Sequence, residues 1–250
     1  IRSADGNLRM QFGGLLQFDW RSYKGTSTPP SSFLIRRAHL EAGGELYEHF
    51  EYKVQVDFAD SDNALLRDGY LNINYSKKLQ VQFGQFKAPF SQEQMQSSKY
   101  IDFIERSSVN NLSPGRSPGL MIHGELTEGK VEYYIGAFNG LGNLQTNTSS
   151  TPEGYFRLHL NPFKTSGTEA LRNLSFGGAF ANGRHKNGNS FQGRTSSRSV
   201  SFFNKVPVNG EITRANVEFD WRYKSFSFRG EYDQTHQSRE NLGIGGGNLP

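Results

Sequence analysis

The chain has 250 residues and a formal net charge of +4, with basic and acidic side chains interspersed, which excludes a nucleic-acid footprint built on one basic face. It has no cysteine, which excludes a disulfide framework and a thiolate metal site. No apolar run approaches the ~18 residues of a membrane helix, but strands that meet lipid with every second side chain escape that test. The opening residues IRSADGN do not resemble a secretory signal, so an exported protein would already have lost it here.

From Leu8 the sequence alternates. Leu8, Met10, Phe12, Leu16, Phe18 and Trp20 fall on one face; Arg9, Gln11, Gln17, Asp19 and Arg21 fall on the other, with Leu15 the one misfit. A period of two predicts a strand, because a helix would scatter these side chains around its axis. Its length suits a tilted membrane strand of about 9–11 residues better than a soluble strand of about five or six.

SYKGTSTPPSSF breaks the pattern with Gly and paired Pro. LIRRAHLEAGGEL then opposes Leu34, Ala38, Leu40, Ala42 and Leu46 to Arg37, His39, Glu41 and Glu45. Arg36 interrupts the apolar side near the loop end, where a long side chain can snorkel to the interface. After a short turn around Glu48–Phe50, EYKVQVDFA sets Tyr52, Val54, Val56 and Phe58 against Lys53, Gln55 and Asp57. SDN is a turn, RDGYLNINY a strand, and SKK a turn again. LQVQFGQFKAP follows, with Leu79, Val81 and Phe83 opposing Gln80 and Gln82.

Residues 89–118 form a long, mostly polar loop before GLMIHGEL resumes the alternation. A connection this far beyond hairpin length is expected to be functional, and it reads as a segment that folds inward and narrows a pore. TEGK is a tight turn, and VEYYIGAFNG, YFRLHLN and the Gly-rich NLSFGGAFANG are strands. The polar span Arg184–Glu211 reads as another long loop. ITRANVEFDWRYKSFSFRGEYD reads as a hairpin turning at Lys224.

Eleven strands result, in one domain over residues 1–250, joined by connections that tend to alternate long and short. Trp20, Tyr23, Tyr75, Trp221 and Tyr223 lie at strand ends, where interfacial aromatics belong. The pattern predicts an all-β, antiparallel transmembrane β-barrel. Eleven is odd for a closed bacterial barrel, and GIGGGNLP reads like the middle of a loop, so further strands are expected beyond this sequence.

No catalytic or metal site is expected. The six His are dispersed, although His123 and Glu125 share a face. No GxSxG stands in the chain, and GIGGGN lacks the strand-then-helix context of a phosphate loop. Arg184–Lys186 reads as a solvated loop tip. Rival readings are a soluble sugar-binding β-sandwich, a barrel lipase and a plugged barrel that anchors or scaffolds.

Several segments together resemble the phosphate-selective porin O/P family. They are Arg36–Phe58, Arg67–Tyr75, FGQFKAPFSQEQMQSSKYIDFIERS followed by PGRSPG (Phe83–Gly119), IGAFNG and FRGEYD. The resemblance implies a sixteen-stranded barrel of the bacterial outer membrane, usually a homotrimer. Its third long loop would fold inward and carry basic residues that attract small anions, phosphate among them. By that match, Lys87, Arg106 and Arg116 fall in or beside this loop and Lys99 within it; with Arg37 and Asp68 they form the expected pore lining. Lys87 has lipid-face parity, so its inward aim needs a bulge or the loop's own turn.

The plainer roles are anchoring of Arg106 and Arg116 by an acid such as Glu105 or Asp102, solvent exposure of Lys99, and a wall Arg paired to Asp68. The polar faces carry Arg9, Arg37, Lys53, Arg157, Arg214 and Arg229, but also Glu41, Asp57, Asp68, Glu218 and Glu231. That mixture departs from a strongly basic pore. The expected function is passive diffusion of small solutes through the outer membrane, with no cofactor and no nucleic acid; a non-selective barrel is the alternative.

Overall fold

In a computed structural model, which describes residues 1–25, 29–59, 64–197 and 200–242, eleven strands form a single antiparallel meander. They are β1 (Leu8–Arg21), β2 (Ser32–Leu46), β3 (Phe50–Asp57), β4 (Leu65–Ser76), β5 (Leu79–Lys87) and β6 (Arg116–Leu126), then β7 (Val131–Phe138), β8 (Glu153–Leu160), β9 (Leu174–Phe191), β10 (Val206–Tyr223) and β11 (Phe226–Gln237). Each pairs with its neighbour in sequence; β1 and β11 are the edges of the ladder. The SDN turn and GIGGGNLP lie outside the described residues.

Short connections follow β2, β4, β6 and β10, and longer ones follow β1, β3, β5, β7 and β9. The exception is residues 161–173 after β8, which hold the helical turn Glu169–Arg172. Its Ala170 carbonyl accepts the indole N–H of Trp221 at 2.7 Å, fixing one of the strand-end aromatics.

The burial pattern inverts that of a soluble protein. Phe12, Leu16, Phe18, Trp20, Leu40 and Val217 are exposed, while Arg37, Asp57, Asp68, Arg157 and Glu218 are buried. Charges enclosed by a sheet whose outside is greasy describe a lipid-facing wall around a polar interior. The soluble-sandwich reading fails here, because its apolar stripes would meet in a core. Leu15, the misfit of β1, shares parity with Gln17 and Asp19 on the inner side, and is half-buried.

Two local irregularities aim charges inward. The β1–β2 register passes from Gln17↔Arg37 to Phe18↔Ile35, which leaves Arg36 as the extra residue of a bulge. Its guanidinium ion-pairs with Glu105 instead of snorkelling to the interface, a correction to the sequence reading. In β3–β4 the register passes from Gln55↔Asp68 to Val56↔Leu66, so Arg67 is the bulged residue. It reaches Asp57 at 3.2 Å.

The span read as a loop from Arg184 to Glu211 is also corrected. β9 continues to Phe191 and β10 begins at Val206, so only residues 192–205 connect them. The backbone ladder runs on where the strands carry no apolar stripe, and polar side chains on both faces then conceal the period of two.

An apolar cluster stands on the inner side around Phe86, Phe90, Met121, Phe138 and Tyr155. Phe138 meets Phe86 and Tyr155 edge-on, with centroids 5.1 and 5.2 Å apart. Gly136 makes room for it: a Cβ there would lie 2.6 Å from the Phe138 ring. Gly84, inside β5, has a φ of +124°, and a Cβ on it would sit 2.8 Å from the Tyr70 Cα. Gly84→Val is therefore expected to cost about 1–3 kcal/mol from backbone conformation alone, and more from the clash. A lowered urea midpoint for the folded barrel checks this.

Candidate pore-lining site

The segment between β5 and β6, residues 88–115, is rooted by burial. Ala88, Phe90 and Ser91 are almost fully enclosed, and the carbonyl of Phe90 accepts a hydrogen bond from Arg157 on β8. Arg157 also donates to Glu218 Oε2 of β10 at 2.9 Å. That same oxygen accepts the backbone N–H of Gln92 at 3.0 Å, so one buried ion pair holds the start of the segment.

Next comes a helical turn, Gln92–Met95, capped by the Ser91 hydroxyl, which accepts from the Gln94 N–H at 3.1 Å. The Glu93 N–H donates to Glu231 on β11 at 3.2 Å, and Arg229 on β11 reaches the Gln96 side chain at 2.9 Å and Asp102 at 3.2 Å.

The segment then meets the other end of the sheet. Lys99 pairs with Glu41 of β2. Glu105 accepts from Arg37 at 2.6 Å, pairs with Arg36, and lies 3.7 Å from Arg21 of β1. On the way back, the Ser113 hydroxyl donates to Asp233 of β11 at 2.6 Å, and Thr235 to the Leu112 carbonyl at 3.3 Å. Residues 88–115 thus touch β8, β10 and β11 as well as β1 and β2.

The six residues singled out from the sequence fall beside two cavities. Lys87 ends β5, and its ammonium donates to the carbonyls of Met95 at 3.2 Å and Gln96 at 2.7 Å. Its lipid-face parity is overcome at the strand's end, past the left-handed Gly84, and it lines an interior cavity. Arg116, opposite it in register, forks onto Asp68 with Nε–Oδ1 2.6 Å and Nη2–Oδ2 3.1 Å. Lys99 roofs the same cavity. Arg106 holds the segment's own backbone, donating to the carbonyls of Glu93 at 2.9 Å and Gln96 at 2.6 Å. Arg37 and Arg106 lie together by a second, much smaller cavity near Glu105. Asp102 pairs with Arg229, and Glu105 with Arg36 and Arg37.

Sequence reasoning passed over Lys53 and Glu41 as site residues. Lys53 bridges Glu41 at 3.3 Å and Asp68 at 3.5 Å, so one chain of charges runs Lys99–Glu41–Lys53–Asp68–Arg116 along the wall. Their inward parity on β2 and β3 was readable, but their contact depends on register.

The open space lies along the β1–β6 side. One cavity of about 440 Å³ has Lys53, Lys87, Lys99, Arg116, Asp68 and Tyr70 in its lining. A second, of about 600 Å³, shares Lys53, Lys99 and Tyr70 with it and extends past Glu41, Glu51 and Arg9. Among the described residues, no group of three or more His, Asp or Glu could hold a metal ion.

The model of the family described as phosphate-selective porin O and P matches residues 4–244. Porin O of Pseudomonas aeruginosa is 26% identical over 121 residues, an alignment that covers 45% of this chain and only 28% of that protein. Among solved structures, a loop-deletion mutant of OmpT, an outer membrane protein of Vibrio cholerae, aligns with TM-score 0.59 at 12% identity, covering 93% of this chain and 71% of that one. The outer membrane channel DcaP of Acinetobacter baumannii aligns with TM-score 0.55 at 13% identity, covering 98% and 68%. A trimer form of OmpT aligns with TM-score 0.57 at 10% identity, covering 93% and 67%. At such identities the likeness is one of fold, an antiparallel outer-membrane barrel, and it agrees with the polar interior and apolar exterior. The chain belongs to the phosphate-selective porin O and P family and is a strand-built protein of the bacterial outer membrane.

Proposed function

We propose that this chain forms the wall and constriction of a passive diffusion channel for small anions, phosphate among the candidates, with no chemical step. The observation that carries the reading is the course of residues 88–115, tied to β8, β10 and β11 on one side and to β1 and β2 on the other. A segment held at both sides of a barrel reduces the passage to the space beside it. Here that space is lined by Lys87, Lys99, Lys53 and Arg116. In a narrow aqueous path walled by low dielectric, such charges set ion preference.

The names of the family and of Porin O support phosphate as a solute, and a trimer, by analogy with the OmpT trimer form, is the proposed assembly. Pairing of most lumen cations with carboxylates supports a moderate preference rather than a strong one. His123, which shares a face with Glu125, stacks on Tyr134 with centroids 5.9 Å apart and meets Asn72 at 3.1 Å, which supports a structural role.

Planar-bilayer recording of the full-length protein tests the reading through reversal potentials for chloride, phosphate and potassium. Chloride and phosphate are expected to pass in preference to potassium; cation preference overturns the proposal. Arg116→Gln is expected to shift the preference toward potassium. It leaves Asp68 without its fork, a change of about 1 kcal/mol in local interaction and roughly fivefold in the permeability ratio.

A further inference from the structure

We infer that the passage favours an organic monoanion with a flat, apolar body, such as an aromatic carboxylate, over a bare inorganic oxyanion. This rests on the anion-channel reading above and names the solute class of the same site.

Four cations line the larger-charged cavity: Lys53, Lys87, Lys99 and Arg116. Asp68 and Glu125 share that lining, and Glu41, outside it, pairs with two of the cations. Asp68 takes Arg116 and Lys53, Glu41 takes Lys99 and Lys53, and Glu125 stands in the lining itself. The surplus is one positive charge. Lys87 carries it, because its ammonium has two backbone carbonyls as partners and, among the described residues, no carboxylate within ion-pair distance. A compact, strongly hydrated divalent oxyanion would exceed that single charge. A monoanion is matched by it.

Beside Lys87 the same cavity is walled by Phe86, Met121, Tyr70, Tyr134 and Met95. Phe86 is itself held edge-on by Tyr70, with centroids 5.8 Å apart, and by Phe138, so these rings are fixed by the cluster behind them. An inorganic ion has no use for such a wall and loses hydration against it. A ring does have a use for it, by offset or edge-on contact with Tyr and by sulfur contact with Met. A carboxylate on that ring would accept from the Lys87 ammonium and the outer edge of the Arg116 guanidinium.

The test is block of chloride current through the full-length protein in planar bilayers by acetate, benzoate and inorganic phosphate at equal concentrations. Benzoate is expected to block at the lowest concentration, and Tyr70→Leu to narrow the benzoate-over-acetate ratio by about 3–10-fold, the worth of one aromatic contact. The ratio is internal to each protein, so a change in channel number does not move it. Should Tyr70→Leu fail to insert, Tyr134→Leu gives the same reading. Phosphate block at lower concentrations than benzoate, or a ratio unmoved by both substitutions, overturns the inference while leaving the anion channel standing. A potassium-selective reversal potential removes the anion channel itself.

Discussion

Arg157→Met will destabilise the barrel by about 3–5 kcal/mol, the cost of leaving one member of a buried ion pair without its partner. Arg157 and Glu218 are each 3% exposed, so neither charge can turn to bulk water. Loss of Arg157 leaves Glu218 as an uncompensated carboxylate, and it also removes the donor that holds the Phe90 carbonyl. The measurement is the urea concentration at which the full-length protein loses its compact mobility on unheated gels. A second variant separates the two effects. Removing both charges, as in Arg157→Met with Glu218→Met, should recover much of the stability, because an apolar pair of similar volume can replace a buried ion pair. It should not recover the loop, since the Gln92 N–H loses its acceptor too. Channels of the double variant are expected to be stable and noisy. If they are stable and quiet, the ion pair does not root the loop.

Excision of residues 92–112, bridged by a short Gly-Ser linker, is expected to raise single-channel conductance several-fold and to flatten the difference between chloride and potassium. The residues removed make the contacts with Glu41, with Arg36 and Arg37, and with Glu231. With them gone, the lumen charges face a wide aqueous space in which each is screened within about 8–10 Å. The root at Ala88 to Ser91 and the Arg116–Asp68 fork stay in place, so the wall is expected to fold. Conductance equal to that of the intact protein would mean that the narrowest point lies elsewhere.

Much of the wall was legible because lipid imposes a period of two. Phe12 to Trp20 and Ala215 to Tyr223 gave strands whose faces the structure reproduces. Where lipid ends, so does the signal, which is why β9 and β10 were cut short in the reading of Arg184–Glu211. Arg36 was misplaced because a bulge adds a residue without leaving any mark in the alternation. The loop was visible as an interruption, and Lys87, Arg106 and Arg116 as basic residues near it. Their partners were not visible. Asp68 lies 48 positions from Arg116 and Glu41 lies 58 from Lys99, distances that only the register of intervening strands brings to contact. The apolar wall beside Lys87 was hidden for the same reason. Phe86, Met121 and Tyr134 sit on three strands, and nothing in any one of them reports that the others are adjacent.

The course of residues 88–115 also bears on how such a wall is assembled. A meander can zip one hairpin at a time, and each new pair knows nothing of the circumference being drawn. Gln92 meets Glu218 across 126 positions, and Glu105 meets Arg37 across 68 in the opposite direction. A strap with fixed attachment points on early and late strands acts as a gauge: it sets the radius to which the growing ribbon can curl before any seam is sewn. Contacts of such separation close slowly, so a shortened strap would draw the ribbon tighter, and a severed one would leave its curvature to twist alone.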